Sequence, residues 1–366
     1  MILNVVQEEN MRLLIIGFGT VGQGLAELIV EKEKELQQKH DLQIQVTGIA
    51  DKLKGSILYP EGIDLKNALE RVRSGEMLGD GAGRPFDGDA LAMIEQADAD
   101  IMAEATYTDI QSGEPAASHV RTALSKGMHV VTTNKGPVAL HYHELAGLAL
   151  DMKVQLLFEG TVMSGTPVLN LQNDCLAGSR IQEIKGILNG TTNYILTRME
   201  EGLSYDKALE KAQELGYAEA VPDADVKGWD ALAKVTILAK VVMDARANPF
   251  DYSCEGITGI SVRDIKDALQ RNRRYKLIGR VWREGSRAMA SVAPEEVEMS
   301  HPLAGVMGAA NALTITTDTL GDVTVVGPGA GRRETGYSLL VDLIKIADSV
   351  KRNSVKSEKL KVKSKK

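Results

Sequence analysis

Short apolar runs separated by amphipathic stretches fill the first half of the chain: LLIIGFG (13–19), IQVTGIAD (44–51), ADIMAEAT (99–106), HVVTTNK (129–135) and VQLLFEGTV (154–162). Each is too short for a helix and too continuously apolar for a half-exposed strand, which predicts buried strands of a parallel α/β sheet. A long helix follows the first run and ends in the charged stretch EKEKELQQKH (31–40), which should project into water. Residues 56–95 form a glycine- and charge-rich excursion with a helix near 64–73. From about Thr166 the rhythm changes. Helices over 166–178, 204–215 and 228–243, with strands near 182–188, 288–298, 312–318 and 323–327, predict an α+β domain. A last helix, about 334–350, follows the glycine-rich GPGAG (327–331). This rhythm divides the chain into 1–165 together with 330–350, then 166–329, with 351–366 as a basic, disordered tail.

Composition narrows the class. With 43% hydrophobic residues, only 4% aromatic ones and 35 glycines, the 366-residue chain reads as an aliphatic-core globular protein. It has no apolar run of the ~18 residues a membrane helix needs and no basic-then-apolar leader, so no membrane partner is expected. Two cysteines, Cys175 and Cys254, are too few for a disulfide framework, which fits a cytoplasmic location. The net charge of −7 hides an asymmetry. The last sixteen residues carry eight basic groups and one acidic group, leaving the body at −14. A body that acidic argues against nucleic acid as a partner.

Gly17, Gly19 and Gly22 form a G-x-G-x-x-G between the first strand and the first helix, in the segment Gly17-Phe18-Gly19-Thr20-Val21-Gly22. The first glycine permits the turn, the second lets backbone approach a pyrophosphate, and the third allows close helix–strand packing. The helix N-terminus then meets the phosphates. Asp51 closes the βαβ unit 29 positions past Gly22, beyond the ~20 of the usual fingerprint. It is either an ordinary strand-end turn residue or a ligand of a ribose 2′-hydroxyl; Lys52 and Lys54 are candidates for a 2′-phosphate. The motif predicts a Rossmann-type domain for NAD or NADP.

In VKGWDALAKVTILAKVV, Asp230 and Lys234 lie four residues apart on one face of a helix apolar nearly all round. An ordinary surface ion pair is one reading. A desolvated lysine oriented by an aspartate, suited to proton transfer, is the other. Glu219 and Asp225 precede this helix in a loop rich in Ala, Pro and Asp; each taken alone reads as a solvated or helix-capping side chain, and together with Lys234 they would cage an amino acid.

At these residues the chain resembles the homoserine dehydrogenases. The segment Gly216-Tyr217-Ala218-Glu219, the Pro/Asp-rich loop and Asp225-Val226-Lys227-Gly228-Trp229-Asp230-Ala231-Leu232-Ala233-Lys234 follow that family's pattern. NGTTNYIL (189–196), TTNK (132–135) and GPGAG (327–331) look like its substrate turn, strand-end lysine motif and return loop, in the family's order. The resemblance implies an α+β substrate and dimerisation domain, a homodimer, and reversible hydride transfer between L-homoserine and L-aspartate 4-semialdehyde in threonine, methionine and isoleucine biosynthesis. It implies Lys234 as proton donor and acceptor and Lys135 between nicotinamide and substrate. Glu219 and Asp230 would bind homoserine, with Asp225, Thr191 and Tyr217 nearby. Thr106, Gly216 and Gly331 would approach the cofactor. FEGTVMSGTP (158–167) resembles the family's monovalent-cation loop, implying sodium on Glu159 and on the carbonyls of Val162, Ser164 and Thr166. Two departures stand out. Ala220 and Val221 separate Glu219 from Pro222, where the family often has proline next, and the resemblance implies a short form without a regulatory or kinase domain.

Two rival readings remain. An aldehyde dehydrogenase of similar architecture would need an activated cysteine, with Cys175 the candidate. A dinucleotide sensor with a decayed site would not need Lys135, Glu219, Asp230 and Lys234 together. His119, His129, His141, His143 and His301 form no metal-binding spacing.

Overall fold

The computed structural model describes residues 10–79 and 81–363, with side-chain surroundings as far as residue 353. The first sheet contains β1 (Met11–Ile16), β2 (Ile44–Asp51), β3 (Gly55–Leu58), β4 (Arg84–Pro85), β5 (Ile101–Glu104), β6 (His129–Thr132) and β7 (Leu156–Leu157). Its order is β4-β3-β2-β1-β5-β6-β7. The strands from β2 through β7 in that order pair in parallel, and β3 and β4 add an antiparallel edge. The chain builds outward on one side of β1 and then crosses back to β5. The boundary between β1 and β5 is therefore the switch point where a ligand crevice opens.

The continuous apolar runs have a simple cause. Leu13 and Ile15 pack into one core while Leu14 and Ile16 pack into another on the opposite face, all four at 0% exposure. Helix α1 (Thr20–His40) covers the first face. Helices α3 (Ala90–Gln96), α4 (Ala116–Ser125) and α5 (Lys135–Asp151) cover the second. The excursion is more ordered than its composition suggests. Besides β3, β4 and α3, it holds α2 (Leu65–Arg73), capped by the Asp64 carboxylate accepting from the amides of Lys66 and Asn67.

The second sheet comprises β8 (Ile181–Ile187), β9 (Ser253–Cys254), β10 (Arg273–Glu284), β11 (Arg287–Glu298), β12 (Ala310–Thr317) and β13 (Gly321–Pro328), ordered β13-β12-β8-β10-β11-β9. It packs against α6 (Gly190–Glu200), α9 (Trp229–Met243) and α10 (Val262–Gln270); α7 (Tyr205–Glu214) and the short α8 (Asp223–Val226) lie between α6 and α9 in sequence. The expected helix over 166–178 shrinks to one π-helical stretch, Leu171–Cys175, and the expected strand 154–162 to β7 followed by the 3-10 turn Glu159–Thr161. In both places buried side-chain acceptors claim the backbone amides: Asp342 takes that of Glu159, and Glu159 takes those of Val168, Leu169 and Asn170.

Helix α11 (Arg332–Lys363) returns to the first sheet's layer and lies against α1, with Leu339, Leu340, Leu343 and Ile346 in the same core as α1. Arg332 pairs with Glu27 at 2.7 Å and Arg333 with Glu31 at 2.6 Å. The helix passes the expected end near residue 350 and runs on to Lys363, instead of a disordered tail from 351. No glycine or proline interrupts that segment. The last three tail positions, 364–366, lie outside the described residues.

Candidate active site

The glycine turn sits at the C-terminal end of β1, beside the switch point. Gly17 has φ +93°, and a Cβ there would lie 2.5 Å from the Ala105 carbonyl oxygen. At Gly22 a Cβ would meet the Gly17 carbonyl at 2.1 Å, whereas Gly19 faces open space. Gly19 is the N-cap of α1 and supplies no side-chain cap, so the first amides of that helix, at Thr20, Val21 and Gly22, face outward. The Phe18 side chain is fully buried and anchors the turn.

Asp51 stands at the end of β2 beside the glycine turn. Its carboxylate accepts the Phe18 amide at 2.8 Å and the Leu53 and Lys54 amides at 3.0 Å each, joining β2's end to the glycine turn. Lys54 Nζ stands 3.6 Å away. Across the crevice, Thr106 follows β5, its amide and hydroxyl both donating to Glu104. Asn134, which the TTNK motif includes without a role of its own, donates to the Tyr107 carbonyl at 2.9 Å and caps α5 by accepting the Gly136 amide. An asparagine directly before a helix start was the available signal.

Capping by Asn134 places Lys135 at the first position of α5. Lys135 Nζ lies 3.6 Å from Asp230 Oδ1, and Lys234 Nζ lies 2.7 Å from Asp230 Oδ2. One carboxylate thus bridges two ammonium groups. Lys234 is 7% exposed and also donates to the Leu188 carbonyl at 2.6 Å. An ammonium has three donors, so one is left for a ligand. Burial alone would raise the Asp230 pKa, but Lys234 and Lys135 outweigh it and hold the carboxyl well below the usual range. Burial lowers the Lys135 pKa, against the pull of Asp230. Burial and the adjacent Asp230 push Asp225 up.

Asn189, the N-cap of α6, was also missed. Its amide donates to Asp225 Oδ1 at 2.6 Å and Asp230 Oδ2 at 2.9 Å, and its carbonyl accepts the Thr192 amide. It holds together two carboxylates that would otherwise repel. Thr191 donates to the Tyr217 carbonyl at 2.6 Å and also interacts with Asp225.

The structure does not bring Glu219 into this group. Gly216, at φ +73°, ends α7 and turns the chain so that Ala218 is buried while Tyr217 and Glu219 face outward. The Tyr217 ring lies 5.0 Å from that of Tyr194. Gly331 has φ +137°, and the Glu334 carboxylate occupies the space a Cβ would need. Trp229, on a helix whose sequence is apolar nearly all round, is 42% exposed.

In the cation loop, Glu159, Val162, Ser164 and Thr166 are all buried, and Met163 and Ser164 take positive φ. The Glu159 carboxylate accepts the Val168, Leu169 and Asn170 amides at 2.6, 3.0 and 2.6 Å. The Val162, Ser164 and Thr166 carbonyls accept no hydrogen bond among the described residues. Buried carbonyls of that kind are the donor set a hard cation takes, so the loop fits sodium better through its backbone than through its carboxylate. Cys175 is free and exposed in its π-helical turn.

A dinucleotide turn at a switch point, in a chain that also holds two lysines on one buried aspartate, defines a nicotinamide-dependent dehydrogenase. Comparison with known proteins makes this specific. The chain belongs to the homoserine dehydrogenase family: the family's NAD-binding-domain model matches residues 17–159 and its homoserine dehydrogenase model residues 167–344. It is 45% identical to an NAD(+)-dependent homoserine dehydrogenase of Pseudomonas canavaninivorans over 342 residues, 93% of this chain and 97% of the relative. It is 37% identical to the homoserine dehydrogenase of Methanocaldococcus jannaschii, over 93% of this chain and all of the relative. A hyperthermophilic archaeal homoserine dehydrogenase solved with NADPH superposes with a TM-score of 0.79 at 32% identity, covering 93% and 98% of the two chains.

Proposed function

We propose that this chain catalyses the reversible NAD(P)-dependent interconversion of L-homoserine and L-aspartate 4-semialdehyde, serving amino-acid biosynthesis in the aldehyde-to-alcohol direction. The observation that carries the mechanism is the Lys234 ammonium, fixed by Asp230 and the Leu188 carbonyl with one donor uncommitted. The nicotinamide, when bound, gives or takes the hydride at the substrate carbon. Lys234 supplies the proton to the aldehyde oxygen or recovers it from the hydroxyl. Lys135 adds a second positive group beside that oxygen, which Asp230 keeps oriented. Asp225 and Asp230 are assigned the substrate ammonium, with Thr191 and Tyr217 lining the same turn. Glu219, lying outside the cluster, contributes less than Asp225. Gly17 to Gly22, Thr106, Gly216 and Gly331 are assigned to the cofactor.

Asp51 favours NAD over NADP, because a 2′-phosphate would meet its carboxylate at the end of β2, and Lys54 is already beside that carboxylate. Sodium is assigned to the Glu159–Thr166 loop. The division into 1–165 with 330–350 and 166–329 is supported by the presence of two separate sheets. A homodimer is supported by β13, the sheet's edge strand, where Val326 is 55% exposed. Among the described residues no helix is long and apolar enough to cross a membrane, and we assign the protein to the cytoplasm. The deciding experiment follows L-homoserine oxidation at the reduced-nicotinamide absorbance, with NAD and NADP in parallel. Turnover that vanishes in Lys234→Ala supports the assignment; silence with both cofactors, in protein that still binds one, overturns it.

A further inference from the structure

Asn311 lies on β12, 0% exposed. Among the described residues it is the one carboxamide with no hydrogen-bond partner at either its oxygen or its nitrogen. Antiparallel pairing sets it opposite Gly327 on one side and one step beyond the Ala312–Ile187 pair on the other. Two segments of the site leave the sheet at these points. On the first side β13 runs out into the return loop, where a Cβ on Gly329 would lie 2.2 Å from Asn311 Nδ2 and 2.4 Å from its Oδ1. On the other, β8 runs out into the turn that opens α6, where a Cβ on Gly190 would lie 3.4 Å from Asn311 Oδ1. Leu188, whose carbonyl holds Lys234, and Asn189, which holds Asp225 and Asp230, immediately precede that glycine.

The return loop is tied onward to the glycine turn. Arg332, next after Gly331, donates to Gln23 Oε1 at 3.1 Å, and Gln23 donates to the Phe18 carbonyl at 2.9 Å. Asn311 is thus wedged between a segment joined to the dinucleotide turn and a segment that carries the lysine–aspartate cluster. Packing alone does not call for an amide there. Leucine has the same branching and the same number of side-chain heavy atoms. An orphaned carboxamide in a dry strand is costly where an apolar group is not. A donor and an acceptor left free, in contact with two backbone segments, suit a joint whose bonds are completed when the segments are drawn together.

We propose that Asn311 is a positioning residue that couples the two halves of the site. Bound dinucleotide settles the return loop on the Asn311 carboxamide, which then bonds to backbone on both sides and fixes the turn at 189–191. Cofactor binding in this way tightens homoserine. The inference rests on the assignment of that turn to homoserine and of the return loop to the cofactor.

The test pairs NADH with L-homoserine, which cannot react because both are already reduced. Homoserine is titrated calorimetrically into free and NADH-saturated protein, for wild type and Asn311→Leu. NADH should tighten homoserine about tenfold in wild type and less than about twofold in the variant, while the free variant melts no lower than wild type. The same factor in both proteins overturns the proposal and leaves Asn311 a packing residue, whatever the melting temperatures. Should leucine not be accommodated, Asn311→Val, smaller and suited to a strand, takes its place with the same expectations. A wild-type factor near one also overturns the proposal, with the substrate assignment untouched. Homoserine that binds wild type in neither state sinks the substrate assignment and the coupling together.

Discussion

At the scale of single residues, the site turns on one carboxylate shared by two lysines. Lys234→Ala should cut kcat by about 10²–10⁴-fold while leaving cofactor affinity within about twofold, because the lost group acts on the reacting oxygen. Stopped-flow turnover beside cofactor titration separates the two effects. Asn189→Ala should be almost as informative. It removes the donor that lets Asp225 and Asp230 sit together, so the proton uptake of Asp225 should move further up and homoserine KM should rise about tenfold or more. A pH profile of kcat/KM would show the affected limb shifted to higher pH; an unshifted profile with normal KM would remove Asn189 from the site. Glu219→Gln should change KM less than Asp225→Asn does. The pair Asp230–Lys234 was legible beforehand because both partners sit on one helical turn. Asn189 was not, because its two partners lie 36 and 41 residues away, a pairing only the fold creates.

Among the elements, the glycine turn was legible for the same local reason: strand, turn and helix are contiguous. Strand β10 was not. RRYKLIGRVWRE carries charges at both ends and hides its alternation, yet Leu277 and Val281 enter the main core of the second sheet. Pairing with β11 answers the charges: Arg273 meets Glu298 at 3.0 Å across the hairpin. Inside β10, Lys276 is 1% exposed and donates to Asn193 Oδ1 at 2.8 Å and to the Val306 carbonyl at 2.5 Å. Burial, with Arg274 adding repulsion, pushes its pKa down to about 8. The folded state therefore binds fewer protons than the unfolded chain between about pH 8 and the ordinary lysine value. Stability from this group should rise with pH across that window. Relative to Lys276→Met, the wild type should gain about 3 kcal/mol on going from pH 7.5 to pH 10.5, read as urea midpoints at each pH. Parallel curves for the two proteins would mean the lysine does not titrate there.

For the whole molecule, the first sheet's layer is completed only by the last helix of the chain. Gly24 of α1 lies against the Arg332 carbonyl, and Gly336 of α11 against the Gly24 backbone, where a Cβ would come within 2.1 and 2.6 Å. Helix contact this close leaves no room for a methyl group. Gly336→Ala should lower the melting temperature by several degrees, a loss of about 1–3 kcal/mol, and weaken NAD through displacement of α1. The control is Gly147→Ala on α5, where a Cβ meets nothing within 4 Å and stability should not fall.

The same contact sets a timetable for synthesis. Strands β1 to β7 are all made by residue 157, yet the core that α1 forms with them lacks Leu339, Leu340, Leu343 and Ile346 until α11 arrives. A ribosome working from the N-terminus completes the second sheet's strands, the last ending at residue 328, before it delivers the segment that closes the first. The half of the protein translated first is thus the half that finishes last, and in the interval it depends on chaperones, or on speed, to stay out of aggregates.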